Sequence, residues 1–473
     1  MDYARPDGKK IGIAISRHKA TNQNQRHGVL LTNPGGPGGN GLALPNDYKD
    51  LRMARFYDII GVDPRGVGRS APLSCGTIQD TGDLHSRSRP ADAQFDEYAQ
   101  AAKRDEAACE KAGGEYRQFV TTRNTARDMD RIRVALGEKK INYLGVSYGT
   151  WLGAVYGQLF PNNLDRSVLD SAVDPTKTWY DQTVDNNESK EFNFGEWAKW
   201  VAARNDSFGL GTSADAVRKV IDRISAKVAE KPGFAGIKDQ NVYDESVGIE
   251  TRYRTRWAAF ALLTERTARA LDTGTADSDL TQQNEKTDAA VEKDQQAEEQ
   301  ASTVDAAYNA LTCDWQWSTS MDTYYGHMRE WRDRFPYGGT AVAMEPTVCA
   351  FNPNEGKPDI KVEGRKYPKG LVLNSDGDTQ TSLISAQRMA KLLNEPLITV
   401  HNEGVHGLYG MNDTSAESGY RPNPCVDNQV DDYLINGTPP AKTDCDTSNP
   451  PAYIPADQDG ITTDPEQPGR STR

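Results

Sequence analysis

No stretch of about 18 apolar residues occurs anywhere in the 473-residue sequence, so nothing in it reads as a membrane-spanning helix. Basic residues are the minority: 55 Lys and Arg stand against 68 Asp and Glu, a net charge of −13. A nucleic-acid partner needs a basic face, so that class is disfavoured, and the acidity argues for solubility. The six cysteines are Cys75, Cys109, Cys313, Cys349, Cys425 and Cys445, and they form no C-x-x-C and no Cys/His cluster. Zinc and dithiol redox chemistry lose support on that ground, and no metal is expected. The even count and wide spacing suit three disulfides in an exported protein. Pairing nearest in sequence gives 75–109, 313–349 and 425–445; the alternative is six buried thiols in an intracellular enzyme. No secretory leader is visible; the opening M-D-Y-A-R-P-D-G is read as a start that follows a removed leader. No internal repeat is found.

Hydrophobic residues make up 36% and mean hydropathy is −0.73, low for a globular chain yet enough to fill a large core. Short apolar runs at 11–16, 28–32, 57–63, 141–146 and 166–170 are each followed by a loop or a helical pattern, the signature of a buried, mostly parallel sheet. At 123–137 the apolar spacing predicts a helix that Gly137 can stop. From 176 to 335 strand signals nearly vanish, and Trp-, Arg- and Ala-rich helical patterns take over. Inside this region, 277–300 has eight acidic and two basic residues, with Leu280 and Val291 as its large apolar side chains. Such a stretch is a solvated helix or a mobile loop. Strand runs return at 370–374 and 397–401, bracketing a helix at 382–394. The expected layout is an α/β core in two parts, 1–175 and 336–445. A helical cap, 176–335, is inserted between them, and a proline-rich tail, 446–473, is extended.

Residues 145–149 read G-V-S-Y-G. The string alone is weak; its place between an apolar strand and a helical run makes it a nucleophile elbow, with Ser147 as nucleophile. A neutral serine needs a positioned base, and in this arrangement the acid and then the histidine follow along the chain. Of six histidines only His401 and His406 come after the late strands. His401 closes a strand; His406 lies in the following E-G-V-H-G loop and is the candidate base. The strand G-L-V-L-N leads into S-D-G-D-T-Q-T, offering Asp376 and Asp378. Asp378 is favoured as the acid that fixes the imidazole tautomer, and Asp376 as a turn-capping residue. An oxyanion needs two backbone donors. The Tyr148 N–H supplies one. The other should come from the loop N-P-G-G-P-G-G-N-G (33–41), where Pro37 cannot donate and Gly36 can. This loop lacks the Lys-Ser/Thr of a phosphate-binding loop.

With these residues in place the chain resembles the α/β-hydrolase peptidases of the proline iminopeptidase family, in particular the secreted tripeptidyl aminopeptidases of actinobacteria. The segments that carry the likeness are 2–8, 33–41, Y-D-I-I-G-V-D-P-R-G-V-G-R-S (57–70), 143–150, L-D-S-A-V-D-P (169–175), 376–381, 404–409 and the stretch around Cys425 and Cys445. The resemblance implies an α/β-hydrolase fold with a helical cap and export. It also implies no cofactor, and cleavage of short peptides from a free N-terminus, often near proline. It implies that acidic cap residues bind the substrate amine; Glu245 and Glu250 are possible, though a solvated surface is the plainer reading of either. Asn40 stands where Ser is commoner, and Ser382-Leu383 where Thr-Pro is typical. A monomer is expected. The rivals are an esterase or amidase with the same triad, and a non-catalytic binding protein on the same scaffold.

Overall fold

Each apolar run becomes a strand of one sheet. Among the described residues the strands are β1 (Ile15–His18), β2 (Gly28–Asn33), β3 (Tyr57–Val62), β4 (Ile141–Val146), β5 (Leu164–Asp170), β6 (Gly370–Ser375), β7 (Leu397–His401) and β8 (Asp444–Asp446). They are ordered β1-β3-β2-β4-β5-β6-β7-β8. β1 runs antiparallel to β3; the other pairs are parallel. The computed structural model describes residues 2–76, 84–304, 306–315, 317–352, 360–410 and 420–452.

The near-continuous apolar character of the central strands follows from burial on both faces. Leu30, Ile59, Leu144, Val168 and Leu371 point to one face, where the helix Pro424–Asn436 covers them. Their chain neighbours Leu31, Ile60, Tyr143, Leu169 and Val372 point to the other. There the helices Thr122–Ala135, Tyr148–Leu159 and Leu383–Leu393 pack Met129, Leu152 and Met389 against them. The first strand begins later than the run at 11–16 suggests. Ala14 donates to Ser70 Oγ (2.7 Å) and accepts from the Asp63 N–H (3.1 Å). The chain is thus tied to the loop after β3 before ladder pairing starts.

Between β5 and β6 lie the helices Trp179–Ala202, Ala214–Glu230, Gln240–Arg252, Trp257–Thr273, Ser278–Val304 and Met321–Arg334. Thr178, Ser213 and Asp239 cap three of them by accepting a first-turn N–H. They enclose a core of their own around Phe194, Trp197, Ile221, Phe260 and Trp331, which Phe95 and Tyr98, from before β4, join. The acidic stretch is the helix Ser278–Val304, and Leu280 and Val291 are buried. Residues 453–473 of the expected extended tail lie outside the described residues. No helix among the described residues is long and apolar enough to cross a membrane.

The cysteines pair nearest in sequence: Cys75–Cys109, Cys313–Cys349 and Cys425–Cys445. The last closes a loop of sequence separation 20 and ties the helix Pro424–Asn436 to β8. A loop of that size restrains the unfolded chain by about 3 kcal/mol. Replacing both Cys425 and Cys445 by Ser should lower Tm by roughly 3 °C in scanning calorimetry. An unchanged Tm would show that this bridge restrains nothing.

Candidate active site

Ser147 stands between β4 and the helix Tyr148–Leu159 with φ 59° and ψ −128°. A residue with a Cβ takes that conformation only where its surroundings impose it. Here they do. The Ser147 N–H donates to the Asp170 carbonyl (3.0 Å), and its carbonyl accepts from the Thr150 N–H (2.8 Å) and Thr150 Oγ1 (2.7 Å). The turn is so tight that a Cβ on Gly145 would come 2.4 Å from the Gly149 carbonyl oxygen, and one on Gly149 2.8 Å from Asn33 Oδ1. The Tyr148 N–H is the first of its helix and so has no acceptor within it. The glycine loop after β2 lies against the elbow: a Cβ on Gly35 would sit 2.6 Å from Ser147 Cβ and 3.2 Å from the Tyr148 nitrogen. Gly36, the next residue, has φ 107°.

The loops after β6 and β7 bring the acid to the imidazole. His406 Nδ1 lies 2.8 Å from Asp378 Oδ2. Asp378 is fully buried. It accepts from the Gln380 N–H (2.8 Å), the Thr381 N–H (3.1 Å) and Thr381 Oγ1 (2.9 Å). Burial pushes its carboxyl up, but the charges of His406 and Arg252 and these donors outweigh burial and hold it below the ordinary value. An acid so held stays ionised and requires the proton on Nδ1, leaving Nε2 as the basic nitrogen. Asp376 instead caps the turn, accepting from the Asn402 (2.8 Å) and Glu403 (3.0 Å) N–H groups. His401 is at the strand end, exposed, beside Asp444 (2.8 Å).

Several residues at the site escaped the sequence reading. Asp170, at the end of β5, is fully buried, and burial pushes its carboxyl up to about 6 against the pull of the Tyr409 and Leu408 N–H groups and His406. Its position in L-D-S-A-V-D-P was visible; its partner loop was not. From the insertion, Asn186 donates to the Gln380 carbonyl (2.8 Å) and Asn193 to the Gly377 carbonyl (2.7 Å). The buried Arg254 grips Asn193 Oδ1 through both terminal nitrogens (3.0 Å each). The loop carrying Asp378 is thus clamped from above. Nothing in the sequence marks an asparagine for that work.

A cavity of about 420 Å³ is lined by Pro34, Val146, Asp170 and His406 from the sheet side and by Arg252 and Tyr253 from the insertion. A second space of about 470 Å³ lies under the N-terminal segment, lined by Tyr3, Lys10 and Arg65, and holds none of the candidate catalytic groups. Glu245 and Glu250 do not line the first cavity, and Glu250 faces Arg256 (3.1 Å). Of the two departures from the family pattern, Asn40 lies against the turn at Gly68. Ser382 donates its N–H to Asn186 (3.2 Å). Among the described residues no cluster of three or more His, Cys, Asp or Glu could hold a metal ion.

A parallel sheet with a strained serine at a strand-to-helix turn and a buried acid–imidazole pair on the following loops defines an α/β-hydrolase. Comparison with known proteins agrees: residues 22–293 match the family model described as alpha/beta hydrolase fold, and residues 335–445 match that of TAP-like protein. The tripeptidyl aminopeptidase of Streptomyces lividans is 35% identical over 463 residues, covering 93% of this chain and 81% of that protein. The serine protease Hip1 of Mycobacterium tuberculosis is 38% identical over 185 residues, 37% of this chain and 35% of that one. Carboxylesterase B of Mycobacterium tuberculosis is 29% identical over 472 residues, covering 94% and 84%. The chain therefore belongs to the tripeptidyl aminopeptidase family of α/β-hydrolases, and it is a serine hydrolase.

Proposed function

We propose that the protein is an exported serine exopeptidase that releases short peptides, tripeptides in the first instance, from the free N-terminus of peptide substrates. The match over 93% of the chain to a tripeptidyl aminopeptidase carries this reading, and the Asp378–His406 pair behind the Ser147 elbow supplies its chemistry. Ser147 Oγ attacks the scissile carbonyl while His406 Nε2 takes the hydroxyl proton. The resulting oxyanion accepts from the Gly36 and Tyr148 N–H groups at the positive end of the helix Tyr148–Leu159. His406 passes its proton to the leaving amine, and the C–N bond breaks. Water then adds to the acyl-enzyme by the same route, its proton going to His406 and on to Ser147 as the peptide acid departs. Arg252 and Tyr253 of the insertion line the cavity, which supports a reading in which the cap selects the substrate. Three disulfides support an oxidising, extracellular setting.

Matched di-, tri- and tetrapeptide amides, each with free and acetylated N-termini, test the reading beside a short acyl ester. The expected result is turnover of the free-amine tripeptide and loss of at least about a hundredfold in kcat/KM on acetylation, the scale of a lost charged contact. Carboxylesterase B, similar along nearly the whole chain, keeps an esterase as the second reading. Ester turnover with every peptide untouched would establish it.

A further inference from the structure

One strand over from the elbow, at the end of β5, stands a buried carboxylate that the acyl chemistry does not use. Asp170 Oδ2 accepts the N–H groups of Leu408 and Tyr409, both at 2.8 Å. Its Oδ1 accepts from Ser171 Oγ (3.2 Å), and Ser171 Oγ accepts the Gly407 N–H (2.8 Å). The three residues that follow His406 are therefore all bonded to the dipeptide Asp170-Ser171. The same Asp170 holds the nucleophile, since its carbonyl accepts the Ser147 N–H (3.0 Å). One residue spans the gap between the serine and the imidazole loop, and its side chain lines the cavity beside His406.

We propose that Asp170 is a positioning residue for His406, fixing the imidazole loop against the nucleophile elbow and lending its negative charge to the imidazolium that forms as Ser147 attacks. The two buried carboxylates then divide the work. Asp378 acts on Nδ1 directly, and Asp170 acts through the Leu408 and Tyr409 N–H groups, through Ser171 to that of Gly407, and through the field. The charged and titratable groups around Asp170 are His406 and Tyr409 on the loop after β7, Tyr48 from the segment before β3, whose phenol Asp170 helps to raise, and Asp47, Arg252 and Tyr253, which line the same cavity. With its carboxyl pushed up to about 6 by burial, Asp170 is ionised at neutral pH, where the charge is needed. The inference rests on the triad assignment alone and not on the choice of peptide over ester.

Asp170→Asn is the sharp test, because an amide oxygen can still accept from both Leu408 and Tyr409 while the charge is gone. Assayed on the free-amine tripeptide amide and on the short ester, whichever is turned over, kcat should fall about 10- to 100-fold with KM within about twofold, the scale of a slightly misplaced catalytic group. The acid limb of kcat/KM should also move, because the variant lacks the protonation of Asp170 at about 6 that removes this charge in the wild type. Ser171→Ala removes the Gly407 tie but keeps the charge; it should cost several-fold in kcat and leave the acid limb in place. Wild-type kcat and an unmoved acid limb in Asp170→Asn would overturn the proposal. If Asp170→Asn does not fold, Ser171→Ala decides: a several-fold kcat loss at constant KM supports the positioning role, and wild-type kcat refutes it. An inactive wild type on both substrates, or activity that survives Ser147→Ala, would instead sink the triad.

Discussion

Ser147→Ala should reduce kcat by about ten-thousand- to a million-fold on any substrate the protein cleaves, leaving the residual rate of bound but unattacked substrate. The fold should survive. Ser147 holds φ 59° through main-chain bonds to Asp170 and Thr150, and alanine carries the same Cβ into the same turn without adding strain. Tm should therefore stay within about 2 °C, as for a substitution that creates no cavity and breaks no buried network. Steady-state kinetics, labelling by a serine-directed phosphonate and a melting curve on the same preparation check all three parts. Persistent turnover with normal Tm would move the nucleophile elsewhere, and loss of turnover with a collapsed Tm would mean that the hydroxyl is structural.

Asp378→Asn should be nearly as damaging, about ten-thousand-fold in kcat at little change in KM. The reason is the tautomer. A carboxylate at 2.8 Å from His406 Nδ1 demands a proton there and frees Nε2 to accept the Ser147 proton. An amide can turn its NH2 toward Nδ1, which then accepts, and the ring proton moves to Nε2, where it blocks the base. The pH dependence follows in sign. The folded-state pKa of Asp378 is depressed, so its ionised form stabilises the fold above the unfolded carboxylate value near about 3.9, and that stability is lost as pH falls through the folded value. Wild-type and Asp378→Asn stabilities should converge only in strong acid. A variant with wild-type kcat would assign the acid elsewhere, Asp376 being the nearest alternative along the chain.

Most of the strands were legible in the sequence for a local reason. A buried parallel strand is a short apolar run bounded by turns, and 28–32, 57–63, 141–146 and 370–374 have no other use for such a pattern. β1 was less so, because an edge strand is chosen by its partner, and the bonds from Ala14 to Ser70 and Asp63 set where pairing starts. The choices of His406 over His401 and Asp378 over Asp376 could be argued from the place of each on its loop. Their mutual distance, and the way the glycine loop lies on the elbow, required the sheet that carries all four loops.

The sequence by itself determined the chemistry-bearing types and their order: a serine between glycines at a strand-to-helix turn, then two acids, then a histidine in the loop after a late strand. Those signals are local, because a tight turn needs glycine within two residues and a strand announces itself within six. Tertiary structure alone decided what surrounds them. Asn186 and Asn193 reach the Asp378 loop from nearly 200 residues away in the chain, and Arg254 braces Asn193. Asp170 meets the His406 loop across more than 230 residues. No periodicity records such partnerships. A buried polar side chain is placed by the need of distant main-chain donors and acceptors to be satisfied, and that need exists only once the sheet has brought the loops together.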